Sequence, residues 1–279
     1  APSDRNVRNN PPAGNTSTGW LKIIALIFMI IDHIGAAIYP NLPVLRILGR
    51  IAFPVYCWCL VVGFHYTRSV PRYLFRILLT GLISQPFYAI IMNHLGMTQT
   101  DFFDLVRRIP QSPDGILPVL NAVFSKPSVF FTLTLGLLGL WGIREKKFYS
   151  HIWAPVAVIL LSSYLAADYG WKGVLFILLL YAARGSRSSI AAVMTAYFLF
   201  WGTSYGVYYL IPLGFTVNDL PEFLRQPLSA FLRLETYGLL SLPLILIPFK
   251  KTLRLPAWIS YSIYPLHLLL IQLLKYLLH

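Results

Sequence analysis

The chain has 279 residues, of which 57% are hydrophobic and 12% are charged, and it carries a net charge of +13. Soluble globular proteins have about 25% charged residues, so this composition excludes an ordinary soluble domain. The positive charge follows a membrane-topology pattern along the chain, so no nucleic acid is expected as a partner. Because a crossing helix needs roughly 20 apolar residues, we predict an all-α polytopic transmembrane bundle of about nine helices (eight to ten) in a lipid bilayer.

The predicted elements begin with a polar tail at residues 1–19, which is rich in Pro, Asn and Gly and is expected to be disordered. Residues 20–279 are predicted to form a single transmembrane domain. The loop Gly96–Pro127 mixes aromatic and polar residues, which predicts an interfacial helix followed by a Pro/Gly turn, and Thr216–Leu234 is similar. The predicted crossings are Trp20–Tyr39, Val44–Phe64, Tyr73–His94, Ser128–Ile143, Ile152–Ala167, Trp171–Ala183, Ile190–Pro212, Tyr237–Phe249 and Pro256–Leu278.

The lysines and arginines predict the orientation. In a chain of alternating crossings, the N-terminal tail lies on the same side as the loops after the second, fourth, sixth and eighth crossings. That side holds 14 of the 23 basic residues but only two of the ten acidic residues, Asp4 and Glu145. Lysine and arginine concentrate in cytoplasmic loops, so the N-terminus is predicted to be cytoplasmic.

Ionisable residues within apolar helices are the candidates for function, because such a residue costs about 2.5–3.5 kcal/mol at the centre of a membrane helix. On the predicted topology they all lie in the outer half or near the midplane. His65 and His94 lie near the ends of predicted crossings and are expected to be solvated. The candidates are Asp32, His33, Arg50, Asp168 with Tyr169, and His267.

Each candidate has a separate expected role. A buried carboxylate needs a basic partner, so Asp32 is expected to pair with Arg50 or Arg46. His33 or His267 is expected to act as the general base, since a neutral imidazole near pH 7 accepts a proton from an amine or hydroxyl. Arg50 or the Tyr264 hydroxyl would stabilise an acyl-transfer oxyanion.

The same residues also have purely structural interpretations. Asp32 and Arg50 would then form an ion pair that holds the first two crossings together. His267 would form a hydrogen bond between helices. Asp168 would be the N-cap of the crossing that follows it.

A basic stripe lies on the predicted cytoplasmic side. Arg68, Arg72 and Arg76 recur every four residues, and Lys250 and Lys251 face the same compartment. Together with Arg184 and Arg187 they are candidates for binding the phosphates of a donor such as coenzyme A. Anchoring to anionic lipid is the favoured alternative.

Five ordered blocks of this sequence resemble the TraX family. They span nearly the whole chain beyond the tail. They are L-K-I-I-A-L-I-F-M-I-I-D-H-I-G (Leu21–Gly35), G-R-I-A-F-P-V-Y (Gly49–Tyr56), V-F-F-T-L-T-L-G-L-L-G-L-W (Val129–Trp141), A-D-Y-G-W-K-G-V-L (Ala167–Leu175) and I-S-Y-S-I-Y-P-L-H-L-L-L-I (Ile259–Ile271).

The resemblance implies a multi-pass acetyltransferase of the bacterial inner membrane. The family's namesake acetylates the N-terminus of a conjugative pilin. The implied donor is acetyl-CoA, without a metal, and the implied acceptor is a pilin-like peptide or a glycan. Asp32, His33, Arg50, Tyr169 and His267 match the family's polar motif positions, and Asp168, Tyr169 and Tyr264 are expected to contact the substrate. Two rival hypotheses remain, a proton-coupled transporter and a non-catalytic protein of pilus or secretion assembly.

Overall fold

The computed structural model describes residues 11–92, 95, 99–109, 116–145, 147–203, 221–225, 233–250, 253 and 255–278. Within these ranges the regular elements are helices, which confirms the all-α prediction. A 3-10 helix, Leu234–Ser241, precedes the short α-helix Leu242–Leu246. The α-helices are α1 (Thr18–Ala37), α2 (Pro43–Gly49), α3 (Ala52–Tyr66), α4 (Val70–Ile91), α5 (Gln99–Arg108), α6 (Ile116–Val123), α7 (Val129–Glu145), α8 (Phe148–Tyr164), α9 (Gly170–Ala183), α10 (Arg187–Thr203), α11 (Leu242–Leu246) and α12 (Ala257–Leu278).

Three helical segments in the described part of the chain are long and apolar enough to cross a membrane: Thr18–Ala37, Pro43–Tyr66 and Val70–Ile91. Gly170–Ala183 and Leu234–Leu246 are shorter apolar helices. The chain is therefore a helical membrane protein. The count of nine crossings and the cytoplasmic N-terminus stay predictions.

Two predicted segments differ from the observed helices. The predicted crossing Tyr237–Phe249 is a 3-10 helix that passes into α11, where Pro243 occupies the first turn. The loop predicted to hold one interfacial helix contains two helices, α5 and α6. The predicted crossing Ile190–Pro212 runs beyond α10 into residues outside the described part.

The second predicted crossing is divided at Arg50, between α2 and α3. Pro54 explains the division, because a proline ring inside a helix collides with the carbonyl group four residues earlier, here that of Arg50. A proline is tolerated in the first turn, and Pro54 lies in the first turn of α3. Arg50 therefore lies at a helix junction rather than inside a continuous helix.

The chain divides into two compact units that exchange segments along the sequence. The first unit contains Ala1–Arg68, Arg144–Lys146 and Phe176–Pro256, and the second contains Ser69–Ile143, Lys147–Leu175 and Ala257–His279. The predicted single domain over residues 20–279 stays a prediction.

Aromatic side chains form the core of the first unit. The rings of Phe198 and Trp201 are stacked with centroids 6.1 Å apart, and Phe53 packs edge-on against Trp201. Phe176 and Trp58 are fully buried in the same unit. Each large aromatic ring buries a large apolar surface, so these side chains fill the core of the first unit.

In the second unit, α4 packs along α12. A separate apolar cluster joins the end of α4 to α5 and α6, and it contains Ala89, Leu95, Phe102 and Val123. Phe102, one of the aromatic residues that predicted an interfacial helix, is therefore a core residue.

Residues 11–19 are packed, which corrects the prediction of a disordered tail for this stretch. The Asn15 side chain donates to the Leu244 carbonyl at 3.0 Å, and its backbone N–H donates to the Ile245 carbonyl at 2.6 Å. The Trp58 indole donates to the Asn15 carbonyl at 2.7 Å. The composition of this stretch predicted disorder because individual hydrogen bonds such as those of Asn15 cannot be inferred from composition. Residues 1–10 lie outside the described part.

Candidate functional site

The first unit contains a buried charge cluster centred on Asp32. Its carboxylate accepts from Arg46 Nη1 on one oxygen and from Arg50 Nη2 on the other, each at 2.7 Å. Both basic partners predicted from the sequence are therefore engaged. Asp32 and Arg50 are 8% and 7% exposed, which leaves little water to screen the pairs.

Glu235 completes this cluster from the start of the 3-10 helix. Arg50 Nη1 lies 3.1 Å from Glu235 Oε1, so one guanidinium bridges two carboxylates. Arg50 Nε also donates to the Arg46 carbonyl at 3.3 Å. We call Asp32, Arg46, Arg50 and Glu235 the charge cluster. Its formal charges cancel, which is the arrangement that low-dielectric surroundings require.

Two glycines allow α1 and α2 to approach closely enough for these bonds. A Cβ atom on Gly49 would lie 2.1 Å from Asp32 Oδ1, and one on Gly35 would lie 2.6 Å from Leu45 Cβ. Only glycine fits at such separations. Both glycines belong to the blocks D-H-I-G and G-R-I-A-F-P, so those motifs have a packing explanation as well as a chemical one.

The histidines of the first unit are both buried. His33 follows Asp32 on α1 and is 6% exposed, while His65 near the end of α3 is 8% exposed and packs edge-on against Tyr66. The prediction that His65 is solvated was wrong, because α3 is enclosed almost completely by its neighbours. His94 lies outside the described residues.

The second unit contains a strained turn between α8 and α9. Ala166, Tyr169 and Gly170 have φ angles of 48°, 62° and 47°, in the left-handed region that side chains with a Cβ disfavour. Strain of this kind persists only where surrounding contacts hold it, and it is common at functional sites. We call residues 166–170 the Asp168 turn.

The contacts of Asp168 hold this turn. The Tyr88 hydroxyl donates to Asp168 Oδ2 at 3.3 Å, and the Tyr169 N–H donates to Oδ1 at 3.1 Å. The Thr132 hydroxyl donates to the Asp168 carbonyl, and the Asp168 N–H donates to the Pro127 carbonyl at 2.8 Å. α4, α7 and the loop before α7 therefore all meet this one residue.

These contacts argue against the N-cap interpretation of Asp168. The Tyr169 carbonyl accepts the first helical bond of α9, from the Gly173 N–H, so Tyr169 occupies the N-cap position. An N-cap side chain would accept from the second or third residue of the helix. The carboxylate of Asp168 instead bonds Tyr88 and the adjacent N–H.

Tyr264 and His267 lie together on α12. The centroids of their rings are 5.0 Å apart. The ring of Phe130 also packs edge-on against Tyr264, with centroids 4.5 Å apart. His267 Nδ1 lies 3.2 Å from the Ile263 carbonyl. A carbonyl only accepts, so Nδ1 carries the proton in this contact, and the lone pair of the neutral ring is on Nε2.

Comparisons with known proteins place the chain in a family. A model of the family described as TraX protein matches residues 17–275. The chain belongs to the TraX family. All the candidate residues of the charge cluster and of the Asp168 turn lie within the matched range.

Two curated proteins are similar to parts of this chain. A probable fimbrial assembly protein FimC, serogroup H1, of Dichelobacter nodosus is 30% identical over 182 residues, which cover 63% of this chain and 67% of the relative. An uncharacterized protein of Rickettsia prowazekii (strain Madrid E) is 38% identical over 78 residues, which cover 28% of this chain and 29% of the relative. No solved structure matches the chain significantly.

Of the basic residues predicted to bind phosphate, those that the structure describes are exposed except Arg184, which is half-buried and donates to the Tyr181 carbonyl at 2.7 Å. Arg68 and Lys250 are exposed in the first unit, and Arg72 and Arg76 are exposed in the second, on the first turns of α4. Lys251 lies outside the described residues. Arg187 is exposed but donates to the Ala13 carbonyl at 3.0 Å, so it holds the N-terminal segment of this TraX-family chain.

Three residues of these sites were missed from the sequence: Glu235, Tyr88 and Thr132. Glu235 is a lone acid at the start of an apolar segment, and that isolation was the available signal. Tyr88 and Thr132 are ordinary residues of membrane helices. Only the fold brings them to Asp168.

Proposed function

We propose that this TraX-family protein transfers an acetyl group from acetyl-CoA to an acceptor within the membrane. The observation that carries the proposal is the buried charge cluster, whose Asp32 directly precedes the buried His33 on α1, in a chain of this family. Charges inside a membrane protein are costly and are usually retained for function. The proposed location is the bacterial inner membrane, with several crossings and an N-terminus in the cytoplasm.

The proposed chemistry is direct transfer with a histidine as general base. The acceptor amine or hydroxyl attacks the acetyl carbonyl, its proton passes to the histidine, and the C–S bond breaks with departure of the coenzyme A thiolate, which then takes up a proton. No relay through an acetyl-enzyme is needed. His33 and His267 are both proposed for the base.

The geometry supports different roles for the other residues. The three guanidinium nitrogens of Arg50 already donate within the charge cluster, which favours a positioning role for Arg50. Tyr264 lies beside His267, so its hydroxyl is the proposed oxyanion donor. Asp168 and Tyr169 are proposed to contact the acceptor.

The acceptor is proposed to be the N-terminal amine of a pilin-like peptide. The name of the Dichelobacter relative, a probable fimbrial assembly protein, supports a role connected with pili. A glycan hydroxyl is the alternative acceptor. For the donor, the exposed Arg68, Arg72, Arg76 and Lys250, with Lys251, are proposed to bind the coenzyme A phosphates, although anionic lipid is their rival ligand.

The test is acetyl transfer by the purified protein in nanodiscs, with labelled acetyl-CoA and a pilin peptide with a free N-terminus. His33→Ala and His267→Ala are compared with His151→Ala, an exposed histidine on α8. We expect one or both of the first two variants to lose transfer and His151→Ala to retain it. Full activity in both variants would exclude the proposed base, and no transfer by the unaltered protein to peptides or glycans would exclude the enzyme.

A second candidate is a non-catalytic assembly protein, which the name of the Dichelobacter relative also favours. In this case, cells that lack the gene would lose pili although the mass of their pilin subunit is unchanged. An intact-mass difference of one acetyl group between the pilins of the two strains would instead support the enzyme.

A further inference from the structure

Gln85 is a fully buried amide in the middle of α4, with 0% exposure. Its amide nitrogen donates to the Val123 carbonyl at 2.8 Å and to the Lys126 carbonyl at 3.0 Å. Its oxygen accepts from the Ser128 N–H at 2.8 Å. Both N–H groups and the oxygen are thus used on one loop, residues 123–128, which joins α6 to α7.

The same loop holds the Asp168 turn. The Pro127 carbonyl accepts from the Asp168 N–H, and Thr132, in the first turn of α7, donates to the Asp168 carbonyl. The path closes on α4, because Tyr88 lies one helical turn after Gln85, on the same face, and donates to the Asp168 carboxylate. These bonds form a closed ring within the second unit.

The ring explains how a strained turn persists. Ala166 and Tyr169 have positive φ angles, and a turn left without support would relax. Tyr88 alone is a weak constraint at 3.3 Å, whereas Gln85 fixes the loop through three shorter bonds. The described hydrogen bonds of Gln85 go to the loop rather than to Asp168, so its effect passes through Pro127.

We infer that Gln85 is a positioning residue, which clamps the loop 123–128 so that the Asp168 turn presents its carboxylate in one fixed geometry. The part of this inference that concerns acceptor binding rests on the proposed function. The part that concerns the turn stands on the hydrogen bonds alone. The two parts are therefore tested by separate measurements.

The first measurement is hydrogen–deuterium exchange of Gln85→Leu in nanodiscs. We expect exchange to rise about tenfold in peptides that cover residues 123–128 and, through Pro127, in those that cover residues 166–170. The matched control is Ser84→Ala, because Ser84 is also 0% exposed on α4 but its described hydrogen bond goes to the Thr80 carbonyl within its own helix. The control should leave both peptides unchanged.

A rise confined to residues 123–128 would overturn the inference, because the clamp would then stop short of the turn. If Gln85→Leu fails to fold, Gln85→Glu decides. Glutamate keeps the shape and the acceptor for Ser128, but it cannot donate to both carbonyl groups. It should raise exchange in both peptides, and no rise in residues 166–170 would overturn the inference here too.

The second measurement separates positioning from a structural effect. Gln85→Leu is expected to raise the KM for the acceptor about tenfold, with little change in the KM for acetyl-CoA. Combining it with Asp168→Asn should add little, because both changes act through one carboxylate. Equal increases in both KM values, or fully additive effects, would overturn the positioning role. If the unaltered protein transfers no acetyl group, the proposed function fails while the exchange result still decides the clamp.

Discussion

In the first unit, four charged side chains hold α1, α2 and the 3-10 helix together. In the second unit, by contrast, uncharged groups hold Asp168 in a strained turn, because its carboxylate accepts two hydrogen bonds and its backbone forms two more. The charge cluster is balanced only when it is complete, so removal of one member leaves an uncompensated buried charge. Removing one partner of the Asp168 turn breaks one hydrogen bond and leaves the others in place. We therefore expect abrupt failure in the first unit and graded failure in the second.

The largest effect is expected for Arg50→Ala. Removing this guanidinium leaves Asp32 with Arg46 alone and deprives Glu235 of its partner, which should lower the free energy of unfolding by about 3–5 kcal/mol. Unfolding in detergent measures it, with Arg72→Ala as the exposed control. A loss below about 1 kcal/mol would show that water screens the cluster.

Gly49→Ala should come next, because its Cβ would overlap Asp32 Oδ1 and force α1 and α2 apart. Such overpacking costs about 1–3 kcal/mol. The counterpart in the second unit is Gly170→Ala. Apart from its chain neighbours and its own helix backbone, none of the described residues lies within 4 Å of the added Cβ, so the positive φ of 47° is what opposes the change. That change should cost about 1–2 kcal/mol. A loss below about 1 kcal/mol for Gly49→Ala, measured by thermal unfolding, would contradict a steric cause at Gly49.

Tyr88→Phe should have a smaller effect than either change in the first unit. It removes one hydrogen bond of 3.3 Å to Asp168, worth about 0.5–1.5 kcal/mol, while Thr132 and Pro127 still hold the turn. The predicted signature is a modest rise in the KM for the acceptor and a nearly unchanged melting temperature. A collapse of the fold comparable to that of Arg50→Ala would show that the two units do not differ as described.

The smallest effect on stability is expected for Arg72→Ala and Arg76→Ala, because both side chains are exposed. They distinguish the two ligands proposed for the basic residues. If these arginines bind coenzyme A phosphates, the KM for acetyl-CoA rises severalfold and the increase shrinks at high salt. If they contact lipid, that KM is unchanged and the dependence of activity on anionic lipid weakens instead.

Much of the charge cluster was predictable from the sequence, because a buried carboxylate requires a cation and Arg46 and Arg50 lie close by in the chain. Glu235 was not, since its segment joins the cluster only through the fold. Pro54 lies within the predicted crossing Val44–Phe64, and the division that it causes at Arg50 was not predicted. The Asp168 turn was placed correctly between two helices, yet its partners Tyr88 and Thr132 come from distant helices that no local pattern connects.

The packed N-terminal segment affects where this protein can be shortened. The family match begins at residue 17, yet Gly14 and Asn15 lie before it. A chain trimmed to that boundary would leave the carbonyl groups of Leu244 and Ile245 and the indole of Trp58 without the hydrogen bonds that Asn15 supplies. The family match and the stably folded chain therefore begin at different residues. A shortened protein should keep Ala13 and the residues that follow it.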